Sequence, residues 1–306
     1  MKILLLGMNG QVGWELQRAL APLGDLVALD FDSRAPWQAD FMQPEVLAAT
    51  VRAVAPGLIV NAAAHTAVDK AESEPERART INALAPAALA REARALDAWL
   101  VHYSTDYVFD GSGDKPWLED DPTGPLNTYG RTKLEGEQAI RASGCRHLIL
   151  RTSWVYAARG GNFARTMLQL AATRDSLQVI DDQIGAPTGA ELLADVTAHA
   201  VRRARAAPAL SGTYHATASG HTSWWGYAHH VIEYARAAGR PLSVLPEGIL
   251  AVPSSAFPTP ARRPHNSRLD TRKLEEQFDL HLPPWQAGVE RMLQEVLSEA
   301  APRGRQ

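Results

Sequence analysis

The chain has 306 residues, of which 45% are hydrophobic and 21% charged, and its formal net charge is −3. This composition is typical of a globular protein with one large or two modest domains. The weak negative charge argues against a nucleic-acid partner. The single cysteine, Cys145, excludes an intrachain disulfide and a cysteine-based zinc cluster. Because Gly7 interrupts the apolar run 3–6 and no run approaches the ~20 residues of a membrane helix, we expect no signal peptide, no membrane span and a cytoplasmic location.

Short β-rich runs alternate with longer helical patterns in the first half, which predicts a parallel sheet covered by helices on both faces. The predicted strands span residues 2–6, 26–29, 58–60, 99–103 and 147–150, and the predicted helices span 11–23, 45–54, 75–96 and 129–142. Pro86 should kink or divide the third helix, because proline removes a backbone donor. The last residues, 302–306, are predicted to fray.

A glycine-rich segment, Gly7-Met8-Asn9-Gly10-Gln11-Val12-Gly13, follows the first predicted strand directly. Its glycines can make the tight turn into the next helix, let the backbone approach a pyrophosphate, and let the helix sit close to the sheet. The N-terminus of that helix offers free N–H groups to the anion. The Gly-x-x-Gly-x-x-Gly spacing is one residue longer than the usual dinucleotide fingerprint, so a plain glycine-rich turn is the alternative.

Asp30 ends the second predicted strand, where an acidic residue would accept hydrogen bonds from the adenosine ribose. A carboxylate there favours NADH because it would repel the 2′-phosphate of NADPH, whereas Arg34 could pair with that phosphate. The two residues pull in opposite directions, so the cofactor preference stays open, and both could equally be solvated loop charges.

The third predicted strand ends in residues 61–65, Asn-Ala-Ala-Ala-His. Small residues at a strand's carboxyl end let a cofactor ring approach the backbone, although the alanines could also simply pack against a helix. These patterns predict a Rossmann-type, doubly wound α/β domain over residues 1–150, with parts of about 175–205 returning to it. The weaker alternation beyond predicts a smaller, loop-rich α+β lobe made mainly of residues 151–306.

Tyr129 and Lys133 lie one turn apart on one face of the fourth predicted helix. Reduction of a carbonyl needs a proton donor as hydride reaches carbon, and free tyrosine, with a pKa of about 10, donates poorly at neutral pH. A nearby ammonium stabilises the phenolate and lowers that pKa, and the Lys133 amine can also hydrogen-bond a ribose hydroxyl. A tyrosine four residues before a lysine is common by chance, so the neighbouring motifs decide whether this pair is interpreted as catalytic.

The context is the segment 104–107, Ser-Thr-Asp-Tyr, at the carboxyl end of the fourth predicted strand, where open α/β sheets place their ligands. Thr105 would hydrogen-bond the substrate carbonyl oxygen and orient Tyr129. Ser104 is the second candidate for this role, and a strand end merely capped by hydroxyl groups is the alternative. Together the motifs predict a carbonyl reductase that uses a nicotinamide dinucleotide.

Six segments together resemble the extended short-chain dehydrogenase/reductase superfamily and, within it, the dTDP-4-dehydrorhamnose reductase family. They are GMNGQVG (7–13), VNAAAHTAVDKAE (60–72), STDYVFDG (104–111), YGRTK (129–133), RTSWVY (151–156) and DQIGAPT (182–188). The resemblance covers nearly the whole chain. It implies reduction of the 4-keto group of the nucleotide sugar dTDP-4-dehydro-L-rhamnose by NADPH or NADH, giving dTDP-L-rhamnose, a precursor of surface polysaccharides. The C-terminal lobe would then bind the nucleotide sugar.

By position, the resemblance implies that Thr105, Tyr129 and Lys133 are catalytic. It implies cofactor contacts from Gly7, Asn9, Gly10, Gln11, Val12, Gly13, Asp30, Arg34, Asp40, Phe41, Ala62, Ala63, Ala64, Tyr129 and Lys133. It implies substrate contacts from Val68, Thr105, Asp106, Tyr107 and Trp154, with Arg262 and Arg263 pairing with the substrate diphosphate. Trp154 could instead pack in the core, and the two arginines could be solvated.

Some members of the family form a homodimer in which glutamates from both chains hold Mg²⁺. The corresponding positions are Glu15, Glu191 and Glu295, and carboxylates are suitable ligands for that ion. We favour the interpretation that they are ordinary exposed helix charges and assign no metal site. Elsewhere, Trp224 and Trp225 are expected to cover the core of the small lobe.

Two other functions share parts of this pattern. A nucleotide-sugar dehydratase needs an acid–base pair, commonly Asp and Glu, beside the threonine, and here Asp106 is followed by Tyr107, which disfavours dehydration. A related epimerase stays open. A non-catalytic regulatory subunit, like that of methionine adenosyltransferase, resembles the same family, but the Tyr129–Lys133 pair with Thr105 argues against it.

Overall fold

The computed structural model describes residues 1–34 and 36–299, so the prediction for 302–306 lies outside the described residues. The strands are β1 (Lys2–Leu6), β2 (Asp25–Leu29), β3 (Leu58–Asn61), β4 (Trp99–Thr105), β5 (Arg146–Thr152), β6 (Val155–Tyr156), β7 (Leu177–Ile180), β8 (Ile184–Gly185), β9 (Thr188–Gly189), β10 (Gly212–His215), β11 (Thr222–Ser223) and β12 (Ile249–Val252). The α-helices are α1 (Gln11–Leu20), α2 (Pro44–Val54), α3 (Val68–Ser73), α4 (Pro75–Arg79), α5 (Ala85–Ala95), α6 (Thr128–Ala142), α7 (Phe163–Ala171), α8 (Ala190–Ala206), α9 (Trp224–Ala237), α10 (Arg272–Phe278) and α11 (Trp285–Glu299).

Six of the strands form one parallel sheet in the order β10-β5-β4-β3-β1-β2. Leu6 at the end of β1 pairs with Leu29 of β2 and with Asn61 of β3, so these strands end at the same edge. Thr105 and Thr152 end β4 and β5 side by side. The prediction of a Rossmann-type parallel α/β fold is confirmed, and the segments predicted to be functional follow strand ends along one edge of the sheet.

The sheet is buried on both faces, which explains why β1 is a continuous apolar run. Ile3 and Leu5 join a core cluster that includes residues of α1 and α8. Leu4 and Leu6 face the other way, into a cluster with α2 and α5. All four side chains are fully buried, and successive residues serve opposite layers because side chains alternate along a strand.

The predicted helix 75–96 is divided, as the proline suggested. A π-helical turn over Thr80–Leu84 separates α4 from α5, and Pro86 follows at once. Because Pro86 has no N–H to donate, the α-helical hydrogen bonding is interrupted and the helix widens into the π-helical turn before it, in agreement with proline's effect on helices. Helix α6 packs closely against the turn, since a Cβ at Gly136 would lie 2.2 Å from the Asn82 carbonyl oxygen.

The C-terminal half contributes to both lobes. Strand β10 pairs in parallel with β5, and α8 packs against α1. The remaining segments form a smaller lobe with three two-stranded sheets, β11–β8, β12–β7 and β6–β9, around apolar clusters that include residues of α7, α9 and α11. Among the described residues, no helix has the length and apolar character required to cross a membrane.

Candidate active site

A cavity of about 890 Å³ runs along the strand ends and reaches the smaller lobe. The predicted site residues that line it are Gly7, Asn9, Gly10, Gln11, Val12, Asp30, Asp40, Phe41, Ala62, Ala63, Ala64, Val68, Thr105, Asp106, Tyr107, Tyr129, Lys133 and Trp154. Four predicted residues do not line it, namely Gly13, Arg34, Arg262 and Arg263. The fold therefore brings the glycine segment, the catalytic candidates and the indole of Trp154 to one continuous space.

The glycine segment forms a tight turn between β1 and α1 that tolerates no side chain at Gly7 or Gly13. Gly7 has a φ of +86°, and a Cβ on it would lie 2.8 Å from the backbone nitrogen of Ala63. A Cβ on Gly13 would lie 1.8 Å from the Gly7 carbonyl oxygen, so Gly13 acts by letting the helix approach the turn. Gly10 caps α1 without a side-chain hydrogen bond, which leaves backbone N–H groups at the helix start for an anionic ligand. This cradle fits the pyrophosphate of a dinucleotide.

Asp30 lies beside this turn at the end of β2. Its carboxylate accepts hydrogen bonds from the backbone N–H of Asn9 at 2.8 Å and of Phe31 at 2.7 Å. A negative charge is thus fixed at the cavity, whereas Arg34 is exposed and does not line it. The arrangement favours a ribose with a free 2′-hydroxyl at this position.

The catalytic candidates meet at the end of β4. Helix α6 starts beside them because Asn127 caps it, accepting a hydrogen bond from the Gly130 N–H at 2.8 Å. A Cβ at Gly130 would lie 2.2 Å from the carbonyl oxygen of Tyr107, so this glycine lets the helix approach the loop. Burial raises the pKa of Tyr129 to about 12, and a hydrogen bond with the Thr105 hydroxyl opposes the shift. The phenol therefore keeps its proton until something stabilises the phenolate.

Lys133 is 2% exposed and lies one helical turn beyond Tyr129. Its Nζ donates a hydrogen bond to the carbonyl oxygen of Tyr103 at 2.5 Å and lies 3.2 Å from Nε2 of His102. Burial lowers the pKa of Lys133 to about 8, and the carboxylate of Glu137 opposes this shift. The amine can therefore change its charge close to neutral pH.

His102 is a buried contact of Lys133 that the sequence analysis did not identify. The backbone N–H of Ala63 donates to Oδ1 of Asn61 at 3.1 Å, which turns the Asn61 amide nitrogen toward Nδ1 of His102 at 3.0 Å. Nδ1 must then accept, so the proton of the neutral ring is on Nε2. The contact between Nε2 and Nζ is therefore a hydrogen bond only when Lys133 is neutral, with Nζ accepting. Burial, and next the charge of Lys133, hold the pKa of His102 well below its usual value. The register of β3 and β4, which pairs Asn61 with His102, was the missing information.

A buried ion pair lies behind the lysine. Arg151 of β5 donates from Nε and Nη2 to the Glu137 carboxylate at 2.9 and 2.7 Å, and from Nη1 to the Glu119 carbonyl oxygen at 3.0 Å. The Arg151 and Glu137 side chains are 2% and 0% exposed. Burial alone would raise the pKa of Glu137, but the hydrogen bonds and charge of Arg151 outweigh it and hold that pKa below its usual value.

Asp106 and Tyr107 extend the site from Thr105. The Thr105 hydroxyl donates to Oδ1 of Asp106 at 3.0 Å, and burial raises the pKa of Asp106 to about 6. The ring of Tyr107 meets that of Tyr129 edge to face, with centroids 5.7 Å apart. Both predicted substrate contacts thus adjoin the catalytic candidates.

The two arginines predicted to bind a diphosphate are placed differently. Arg263 donates to Asp69, with Nη2 2.7 Å from Oδ2, and this pair holds the proline-rich loop against α3. Arg262 is exposed, and its carbonyl oxygen accepts a hydrogen bond from Nδ2 of Asn127. An arginine that the sequence analysis did not single out, Arg77 of α4, lines the cavity instead.

The three glutamates considered for Mg²⁺ lie against arginines. Oxygens of Glu191 and Glu295 are 3.3 and 3.8 Å from Nε of Arg291, and Glu15 is 3.6 Å from Nε of Arg18. Within residues 1–34 and 36–299, no group of three or more His, Cys, Asp or Glu is placed to hold a metal ion. Within one chain these carboxylates lie next to exposed arginines, and their interpretation as helix charges stays our prediction.

Trp224 is a further site residue that the sequence analysis did not identify. As expected, it packs against the core of the smaller lobe, but it also lines the cavity and stacks on Trp154. Trp225 turns away, and its Nε1 donates to the carbonyl oxygen of Ile249. A pair of neighbouring tryptophans carries no signal of which one faces a ligand.

Comparison with known proteins agrees with this geometry. A family model described as RmlD substrate binding domain matches residues 1–298. A dTDP-4-dehydrorhamnose reductase of Escherichia coli is 60% identical over 301 residues, which are 98% of this chain and 100% of the relative. The crystal structure of a dTDP-4-dehydrorhamnose reductase from Clostridium acetobutylicum matches with a TM-score of 0.87 at 34% identity, covering 97% of this chain and 100% of that one. The enzyme of the same name from Bacillus anthracis, in complex with NADP, matches with a TM-score of 0.84 at 32% identity, covering 96% and 99%. The resemblance carried by the six sequence segments is confirmed, and the chain belongs to the RmlD substrate binding domain family.

Proposed function

We propose that this protein reduces the 4-keto group of dTDP-4-dehydro-L-rhamnose to give dTDP-L-rhamnose, with NADPH or NADH as the reductant. The observation that carries the proposal is the single cavity that joins the glycine turn to Tyr129 and continues to Trp154. Relatives that are 34–60% identical over nearly the whole chain have this activity in their names, which supports the choice of substrate.

The residues around the keto oxygen divide the chemistry between them. When bound, the nicotinamide supplies the hydride to C4. The Tyr129 hydroxyl gives its proton to the oxygen at C4, while the Thr105 hydroxyl donates a hydrogen bond to the same oxygen and shares the developing charge. In the free protein the Thr105 hydroxyl donates its proton to Asp106, so it must turn from Asp106 to the keto oxygen when the substrate binds.

Lys133 makes the proton transfer feasible. Burial raises the pKa of Tyr129 to about 12, so the phenolate needs a cation nearby when the proton leaves. The Lys133 ammonium supplies that charge, and its own pKa of about 8 keeps much of it protonated at neutral pH. The same amine lies in the cavity beside the alanines that end β3, where it can hold a cofactor ribose.

The two lobes would bind different ligands. We propose that residues 1–150, together with returning parts of about 175–205, bind the cofactor, and that the rest of 151–306 mainly binds the nucleotide sugar. A homodimer and a cytoplasmic location stay predictions from the sequence and the family.

The test is turnover by a Tyr129→Phe variant, with Tyr214→Phe as a matched control. Tyr214 is buried in the core, and its hydroxyl donates to the Leu210 carbonyl oxygen outside the cavity. With dTDP-4-dehydrorhamnose generated in situ, and with NADPH and NADH each supplied as reductant, we expect Tyr129→Phe to bind the cofactor and lose turnover, and Tyr214→Phe to keep both. Stoichiometric loss of NADPH or NADH absorbance separates a reductase from an epimerase, which consumes neither.

Two results would overturn the proposal. Unchanged turnover by Tyr129→Phe would refute the assignment of Tyr129 as the proton donor. If the unmodified protein binds the cofactor but does not oxidise it with this keto sugar, the assignment of the substrate would be refuted.

A further inference from the structure

Two indoles from distant parts of the chain are stacked at the end of the cavity that faces the smaller lobe. The ring centroids of Trp154 and Trp224 are 3.6 Å apart and the ring planes differ by 13°. Both residues line the cavity and both are half-buried. Rings this close and nearly parallel overlap over much of their faces, so each ring restricts the direction of the other.

Trp154 needs outside support to hold its position. Its φ is +47°, a left-handed backbone conformation that is unfavourable for a residue with a large side chain. The Thr188 N–H donates to its carbonyl oxygen at 3.2 Å. The neighbouring strand β8 leaves room for the indole, because a Cβ at Gly185 would lie 2.6 Å from Cε2 of Trp154. The backbone alone therefore does not determine where this ring sits.

Trp224 is the anchored member of the pair. Its Nε1 donates to Oε1 of Gln183 at 3.2 Å, and the Gln183 amide is itself oriented by Nε2 donating to Ser254 at 2.9 Å. The ring also packs on Phe163, with centroids 4.6 Å apart. It starts helix α9, which Ser223 caps by accepting from the Gly226 N–H at 3.0 Å. Trp224 is thus fixed by a hydrogen bond, an aromatic contact and a helix start.

We propose that Trp224 is a positioning residue for the nucleotide-sugar substrate: it stacks on Trp154 and holds that indole as a wall of the substrate end of the cavity. Trp224 then sets the affinity for the sugar nucleotide and leaves the transfer of hydride and proton to Thr105 and Tyr129. This inference rests on the proposed function, because it assumes that a nucleoside diphosphate sugar occupies that end.

The matched experiment compares Trp224→Leu with Trp225→Leu. Both remove an indole from the first turn of α9, but Trp225 does not line the cavity and its Nε1 binds the carbonyl oxygen of Ile249. We expect Trp224→Leu to raise KM for the keto sugar about tenfold, the scale of a lost aromatic pair. The KM for NADPH and kcat should stay close to those of the unmodified protein, and Trp225→Leu should change none of them.

Two further readouts separate positioning from a general loss of structure. Stacked indoles couple their electronic transitions, so the circular dichroism of the protein should contain a couplet that disappears in Trp224→Leu and persists in Trp225→Leu. A Trp224→Phe variant keeps an aromatic ring against Trp154 and should recover part of the lost affinity. If Trp224→Leu does not fold, Gly185→Ala displaces the Trp154 ring directly and should raise the same KM.

Binding of dTDP, measured by calorimetry, makes the outcome independent of turnover. Weaker dTDP binding in Trp224→Leu than in Trp225→Leu supports the inference even if the unmodified protein does not reduce the keto sugar, a result that would overturn only the proposed function. Equal dTDP affinities and equal KM values in the two variants would overturn the inference, and so would a KM increase that leaves the couplet intact.

Discussion

Replacing Glu137 by glutamine would break the buried ion pair behind Lys133 while keeping the size of the side chain. The carboxylate is 0% exposed and accepts two hydrogen bonds from Arg151, which is itself 2% exposed. In the variant, a guanidinium without a counter-charge would stay inside the protein. Removing one partner of such a pair is far more costly than removing both, because the remaining charge is not solvated.

The expected cost is about 3–5 kcal/mol of unfolding free energy, the range for a buried charge that loses its partner. Each 1.4 kcal/mol is tenfold in an equilibrium constant, so the unfolded fraction would rise by about a hundredfold or more. The effect depends on pH. Because the pKa of folded Glu137 lies below its ordinary value of 4.5, the pair stabilises the fold fully above that value and loses its effect as pH falls through the folded pKa.

Urea unfolding at neutral pH measures this cost, and Glu135→Gln is the control on the same helix. Glu135 also accepts hydrogen bonds from two nitrogens of one arginine, Arg79, but both side chains are well exposed, so we expect its variant to be nearly as stable as the unmodified protein. Equal losses in the two variants would refute the reasoning from burial. A Glu137→Gln loss that persists undiminished in strong acid would refute the electrostatic account.

Two further predictions concern the cofactor and the lysine. Asp30→Asn removes the charge beside the glycine turn, so kcat/KM with NADPH should rise about tenfold relative to kcat/KM with NADH. The control, Asp32→Asn, alters a neighbouring carboxylate outside the cavity and should leave this ratio unchanged. An unaltered ratio in both variants would contradict the role of Asp30. Because burial lowers the pKa of Lys133 to about 8, the ammonium that stabilises the Tyr129 phenolate is lost as pH rises through that value. Initial rates should then show kcat/KM falling above about pH 8, and a profile that stays level well beyond this pH would contradict it.

The catalytic candidates were predictable because each one follows a local pattern. Tyr129 and Lys133 are spaced by one helical turn, and Thr105 ends a strand that its apolar run predicts. The glycine segment likewise directly follows a β-rich run. In a parallel sheet, strand ends meet at one edge, so local patterns were enough to bring these residues together.

The residues that escaped prediction depend on contacts between distant segments. His102 faces Lys133 only because β3 and β4 pair in a register that places Asn61 beside it. Trp224 reaches Trp154 through the antiparallel pairing of β11 with β8. Arg263 pairs with Asp69, which lies 194 positions earlier in the sequence. The local sequence does not distinguish a loop arginine that forms an ion pair within the protein from one that binds a phosphate.

The return of α8 and β10 to the large sheet has a consequence for how the protein is made. On the ribosome, the segments of β6 to β9 emerge before α8 and β10. Until residue 206 has been synthesised, the apolar face of α1 that packs on α8 is not fully covered, and until residue 215 β5 has no neighbour on one side. A nascent chain at that stage carries an open sheet edge and an apolar surface, the two features that favour association with other chains. The lobe that contains the large sheet is therefore completed only after part of the smaller lobe has been made, and no single cut of the chain separates the two.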